Sequence, residues 1–258
     1  MSNKQYVLGR GELYFDRMLA NTKTLTGERF LGNVTAFNIS IESETLDHFD
    51  STQGLRQKDD SVLLQINRTG AITTDNINAD NLSLFIQGST TTVTQTATPV
   101  VDFAINDIVR DRYYQLGQTA SNPTGVRGVS AVTVTGPGGT PVYALNTDYT
   151  LDAALGRIYI PATSTIPVGA DLLVDYTPAA NSRDRISSAS LGSIDGALRF
   201  VARNPKGPVR DLYIPYCSLT PSGELNFIGE EWLTMAFNLE IQKLNDTTEA
   251  IYIDGRPA

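Results

Sequence analysis

Near the C-terminal end, the run MAFNLEIQK puts Met235, Phe237, Leu239 and Ile241 on every second position, with Ala236, Asn238, Glu240 and Gln242 between them. Apolar residues at a spacing of two belong to a strand with one buried face, because successive side chains in a strand point to opposite sides. A helix would need them at spacings of three and four. The alternation recurs in ALRFVAR, residues 197–203, where Leu198, Phe200 and Ala202 share a face, and again at Phe37, Ile39 and Ile41. The first 30 residues carry few helix caps and no sustained helical period, yet GELYFDR, and FLGNVTAFNISI just after it, are rich in residues that want sheet neighbours. The fold expected is mainly β, with one or two short helices.

The other signals refine this. In the first third, an acidic helix start is expected in ETLDHFDS, followed by a turn at Gly54, a second alternating strand, and a short helix opened by Asp and Asn in DNINADNLSLFIQG. In the middle, VSAVTVTG (129–136), the turn PGGTP, VYALNTDYTLD, the turn AALG, RIYIP and DLLVDYTP give short β-rich runs about every ten positions, the rhythm of a small β-sandwich. The flanking stretches STTTVTQTATPV (89–100) and PAANSRDRISSAS (178–190) are polar and small, and read as linkers. The domains expected are therefore residues 1–95 and 183–258, joined as one discontinuous unit, with an inserted β-sandwich over 100–180.

Composition narrows the function. With 258 residues, 41% of them hydrophobic, the chain is long enough for one large or two small domains with real cores. No apolar run is long enough to span a bilayer, and MSNKQYVLGRGELYFDR has neither the apolar core nor the cleavage site of a signal peptide, so synthesis in a cytoplasm is expected, with no membrane partner. A net charge of −8 argues against binding phosphate backbones, which needs clustered Lys and Arg. It suits a surface past which DNA slides without sticking.

Little chemistry is offered. His48 is the only histidine and Cys217 the only cysteine, which leaves no multi-Cys metal site and forces any triad through one histidine beside Asp47 and Asp50. Cys217, between Tyr216 and Ser218, reads as a small buried apolar residue. The adjacent acids Glu230–Glu231 and Asp59–Asp60 do not flank one bond as a glycosidase pair would. Asp148 and Asp152 lack the glycine and glutamate of a calcium loop and read as turn residues. Of the middle tyrosines, Tyr113, Tyr114, Tyr143, Tyr149, Tyr159 and Tyr176, most are expected to pack in a sandwich core or edge rather than to form an exposed binding row. No enzyme activity and no cofactor are expected.

The order of motifs resembles one family. LDHFDS with Gly54 after it, KDDSV, DNINADNLSLFIQG, and late in the chain DLYIPYCSLTPSGELNFIGEEW resemble, in the same order, the tail tube (major tail) proteins of long-tailed bacteriophages. In that pattern the late strand ends at a proline, a Pro-Ser-Gly turn follows, and an acidic turn carries Trp232. The run from Tyr143 to Thr177 resembles the immunoglobulin-like β insertions of phage virion proteins. The resemblance implies a β-sandwich or barrel subunit that forms stacked, hexameric rings around a tape measure protein. A tail terminator lies above, a distal tail or baseplate protein lies below, and DNA passes transiently and non-specifically through the lumen. It implies a virion tail location after synthesis in the host cytoplasm. A bulky outward insert favours a non-contractile tail.

On this reading Asn38, Ser40, Glu42, Asn238, Glu240 and Gln242 are candidates for the lumen wall. The ring-stacking loop would carry Glu44, Asp47, Asp50, Arg56, Lys58, Asp59 and Asp60, with Arg56 and Lys58 meeting carboxylates of the next ring. The alternative from another class is an adhesin or carbohydrate-binding sandwich on a particle surface.

Overall fold

The computed structural model describes residues 6–52, 54–188 and 194–256. Strand β1 (Gly11–Arg17) and the short β2 (Arg29–Phe30) precede two long strands, β3 (Val34–Asp50) and β4 (Gln57–Thr74), and then α1 (Ala79–Phe85), the one α-helix among the described residues. The middle holds β5 (Gly88–Gln95), β6 (Val100–Ile105), β7 (Arg112–Gln115), β8 (Val129–Thr135), β9 (Val142–Tyr143), β10 (Thr150–Asp152), β11 (Arg157–Ile160) and β12 (Leu172–Pro178). The last third is β13 (Asn181–Ser188), β14 (Ile194–Ala202), β15 (Arg210–Ser222), β16 (Met235–Ile241) and β17 (Tyr252–Gly255). The fold is mainly β, in several sheets.

The chain divides into two compact units, one of residues 1–91 with 186–258 and one of residues 92–185. The first is built on an antiparallel sheet in the order β2-β1-β14-β15-β16-β4-β3, with β17 added to β15. Its alternating strands bury alternate residues. In β16, Met235, Phe237, Leu239 and Ile241 are buried, and in β14 so are Ile194, Leu198 and Ala202. Phe37 of β3 and Phe200 of β14 have three strands between them in the sheet, yet their rings are 6.0 Å apart, so the sheet curls over its own core. Helix α1 covers part of that core. Asn78 caps it by accepting from the backbone N–H of Asn81 at 2.8 Å, Leu84 is buried, and Phe85 meets Phe237 edge-on at 6.0 Å.

In the second unit, a sheet β10-β11-β7 and a sheet β6-β12-β8-β9 share one apolar core. Strand β12 buries Leu172, Val174, Tyr176 and Pro178 in strict alternation, and β11 adds Ile158 and Ile160.

Three local expectations are corrected. ETLDHFDS is not a helix: β3 runs unbroken through it, pairing with β4 down to Asp50 opposite Gln57. Cross-strand pairing overrides the local acidic helix signal. The flanks of the insert are not simple linkers, because β5 and β13 pair as a two-stranded ribbon. Threonine-rich sequence suits a strand as well as a loop. Finally, β15 does not end at Pro215 but continues through it to Ser222. Proline has no N–H to give a ladder, and it sits where the ladder is broken on both sides. The β14 register shifts between Gly196 and Leu198, and the opposite edge of β15 changes partner from β17, ending at Tyr213, to β16, beginning at Cys217.

Candidate assembly interface

Strand β16 pairs with β4 only from Thr69 to Thr74. Beyond that point β3 and β4 continue alone as a hairpin closed by a turn at Gly54, whose φ of +75° glycine adopts without the strain a Cβ would bring. Among the described residues nothing covers either face of this arm. Its apolar side chains are exposed: Ile41, Leu46 and Phe49 on β3, Val62, Leu63, Leu64 and Ile66 on β4, and Leu55 in the turn. Lone two-stranded hairpins are marginal in water, and monomers seldom leave so many large apolar groups together outside. The outer edge of β3 also meets no other strand among the described residues. At about 3.3 Å per residue, that is an open edge on the order of 50 Å long.

Cross-strand polar contacts hold the arm together. Lys58 Nζ lies 2.6 Å from Asp47 Oδ1, and the Ser61 hydroxyl donates to the same oxygen at 2.9 Å. These bonds, the lysine's first, hold the Asp47 carboxyl below its usual range. His48 Nδ1 is 2.5 Å from Asp59 Oδ1, and so pairs with neither Asp47 nor Asp50. Asp59 reaches it because it is the extra residue of a bulge, between Asp60 opposite His48 and Lys58 opposite Phe49. Asp50 accepts from the hydroxyl and the backbone N–H of Thr52, which lowers its pKa. The Arg56 guanidinium lies 4.8 Å from the Phe49 ring centroid. Glu44 and Asp60 also lie on the two strands, paired opposite Gln65 and His48. The seven residues expected in a stacking loop are thus brought together on the arm, but Lys58 is already paired within it.

The six lumen candidates also converge. Ala71 is opposite both Asn38 and Asn238, and Thr69 opposite both Ser40 and Glu240. Directly paired residues point to the same face, so these form rows across β3, β4 and β16. Glu42 pairs with Asn67 in the next row, and Gln242 lies just past the end of β16, its side chain donating to Glu240 at 3.0 Å. Glu42, Asn238, Glu240 and Gln242 line a trough of about 720 Å³, to which Asn67, Thr69 and Lys243 add. Phe37, Ile39, Ile72, Phe237 and Leu239 take the opposite, core-facing side.

Sequence reasoning missed the exposed apolar side of the arm. The signal was present in SVLLQI, where three successive apolar residues cannot share one strand face. It also missed the loop from Gly223 to Thr234, where Phe227, Ile228 and Trp232 are 79%, 97% and 94% exposed.

Elsewhere, polar residues are occupied structurally. Cys217 is buried, its thiol donates to the Gly196 carbonyl at 3.4 Å, and burial pushes its pKa far up. Asp148 accepts from the hydroxyl and N–H of Thr165 and the N–H of Ala144, with the hydroxyl bond lowering its pKa most. Asp152 is held low first by the Leu155 N–H, and it also accepts from Arg157. Tyr143, Tyr149 and Tyr176 are buried in the second core, and the Tyr114 hydroxyl bonds the backbone of Val109. Tyr113 and Tyr159 pair on the outside, with ring centroids 4.8 Å apart. Among the described residues no three His, Cys, Asp or Glu side chains converge as a metal site would require, and no helix is long and apolar enough to cross a membrane.

Fold and surface together define a mainly β protein of two compact units whose first unit carries a bare hairpin arm beside a polar trough. The model of the family described as "Protein of unknown function UCP028589" matches residues 6–252, so the chain belongs to that family. A search of curated proteins gives no match.

Proposed function

We propose that this protein is a self-assembling structural subunit of the tail tube type, whose copies join into rings, hexameric by resemblance, that stack into a tube. The observation that carries the reading is the β3–β4 arm, with its eight exposed apolar side chains and an unpaired strand edge. Burying one Leu or Ile gains about 1.5–3 kcal/mol, so a neighbouring copy that covered even half of the eight would supply several kcal/mol to assembly. Ring closure would also pair the open edge of β3, which removes the association hazard of a free strand.

The trough beside the arm fits the inner wall. It is polar, with Glu42 and Glu240 set against Arg68 and Lys243, the lysine already paired with Glu249, so it carries no excess of positive charge to hold passing phosphates. The sandwich unit sits outside the tube in this reading, and the location is the tail of a virion. The tape measure protein, the terminator above and the distal tail or baseplate protein below are the partners that follow from it.

Sedimentation velocity over a hundredfold range of protein concentration tests the reading. Mass action predicts a shift from monomer to rings or longer species as concentration rises. A single monomer peak throughout would contradict it.

A further inference from the structure

We propose that the loop of residues 223–234 in one copy docks into the groove between β1, β3 and β14 of a second copy. The inference rests on the tube reading above and names one of the contacts that reading requires. The loop, GELNFIGEEWLT, contains three glutamates and no Lys or Arg. Leu225 packs against the core and anchors its base, while Phe227, Ile228 and Trp232 stand almost wholly in solvent. A loop held at its root that offers an aromatic and aliphatic tip is shaped to be covered.

The groove has the opposite character at its rim and the same character on its floor. It encloses about 880 Å³, within the range of about 300–1,000 Å³ typical of clefts that enclose a bound group. Phe37, Ile39, Phe200, Leu212 and Ile253 contribute apolar surface, and Arg10, Arg203 and Arg210 stand around it. The one carboxylate in the lining is Glu12, which Arg203 meets at a long 3.4 Å. Arg10 donates to the Gly9 carbonyl, and Arg210 meets no carboxylate among the described residues. Three guanidinium groups against one carboxylate leave positive charge to be matched, and Glu224, Glu230 and Glu231 carry the matching sign. In its own chain the loop shares no lining residue with this groove, so the groove is not filled by it.

Ile228 or Trp232 on the groove floor, with the glutamates against the rim arginines, makes a heterologous contact. Such a contact either closes into a ring or propagates as a filament. The apolar tip supplies affinity, and the charge pairs set register and partner choice.

The test uses the full-length protein in two single-cysteine additions, Ile228→Cys and Ile253→Cys, at two exposed positions. Native Cys217 is buried and does not compete. The two variants are mixed at a concentration where electron microscopy shows assembly, then oxidised mildly. A disulfide joining one variant to the other, absent when either is oxidised alone, is the expected result. Charge reversal supplies the second measurement: E230K/E231K alone and R203E/R210E alone should each raise the half-assembly concentration about tenfold, and mixing them should restore most of it. Assembly without the mixed disulfide and without charge rescue would overturn the docking but leave the tube reading intact. Failure of the unaltered protein to assemble at any concentration would overturn both.

Discussion

At Asp211 one carboxylate joins three strands. It lies in β15, accepts from the backbone N–H of Ala202 in β14 at 2.8 Å, and takes both Nε and Nη2 of Arg256, just past β17, at 2.8 Å. The Arg256 bond is the main reason its pKa is lowered. A carboxyl whose folded pKa lies below its unfolded value of about 3.9 stabilises the fold above that value and loses the contribution as pH falls through the folded pKa. Asp211→Asn should therefore lower the melting temperature by a few degrees at pH 7, and the gap to the parent should close below about pH 4. A gap that is constant with pH would contradict the linkage. Gly70 is constrained by space rather than charge: a Cβ there would lie 2.6 Å from the Asn38 carbonyl oxygen and 3.3 Å from Leu239. Gly70→Ala should cost about 1–3 kcal/mol in urea unfolding, the scale of overpacking. Cys217 reads as buried from its strand context alone, and the buried thiol, with its raised pKa, should resist maleimide until the protein unfolds.

The elements that the sequence places well are those whose two faces differ. Strand β16 and the start of β3 alternate because one side meets the core, and α1 announces itself by the Asn78 cap and Leu84. The outer part of β3 was illegible for the converse reason. From Glu42 to Asp50 neither face is buried in the single chain, so no buried stripe marks the strand, and the acidic cluster imitates a helix start, whereas the strand expected after Gly54 is present as β4. The polar rows of the trough could be listed strand by strand, but only the register shows that Ala71 and Thr69 join Asn38 to Asn238 and Ser40 to Glu240. If the arm is buried by a neighbouring copy, charges placed on it should act on assembly and not on folding. Leu46→Lys with Leu64→Lys should leave the monomer's melting temperature within about 2 °C and raise the concentration for half-assembly more than tenfold, as expected for two lost burials of about 1.5–3 kcal/mol. Equal assembly by the variant would remove the arm from the interface.

For the whole molecule, the two separate cores make the second unit an addition to the first. The β5–β13 ribbon is the link, and replacing residues 96–180 by an Asn-Gly turn would close it as an ordinary hairpin. The shortened chain should keep the sheet of the first unit and its concentration-dependent assembly, measured by sedimentation. Loss of folding would show that the units depend on each other. The central claim, that the arm and open edge exist to join copies of this chain into a tube, is tested most directly by negative-stain electron microscopy of the purified protein at low and high concentration. The account predicts stacked rings at high concentration, with a central hole at least about 20 Å across, the space that duplex DNA and its grooves require. Uniform single particles at every concentration would contradict it.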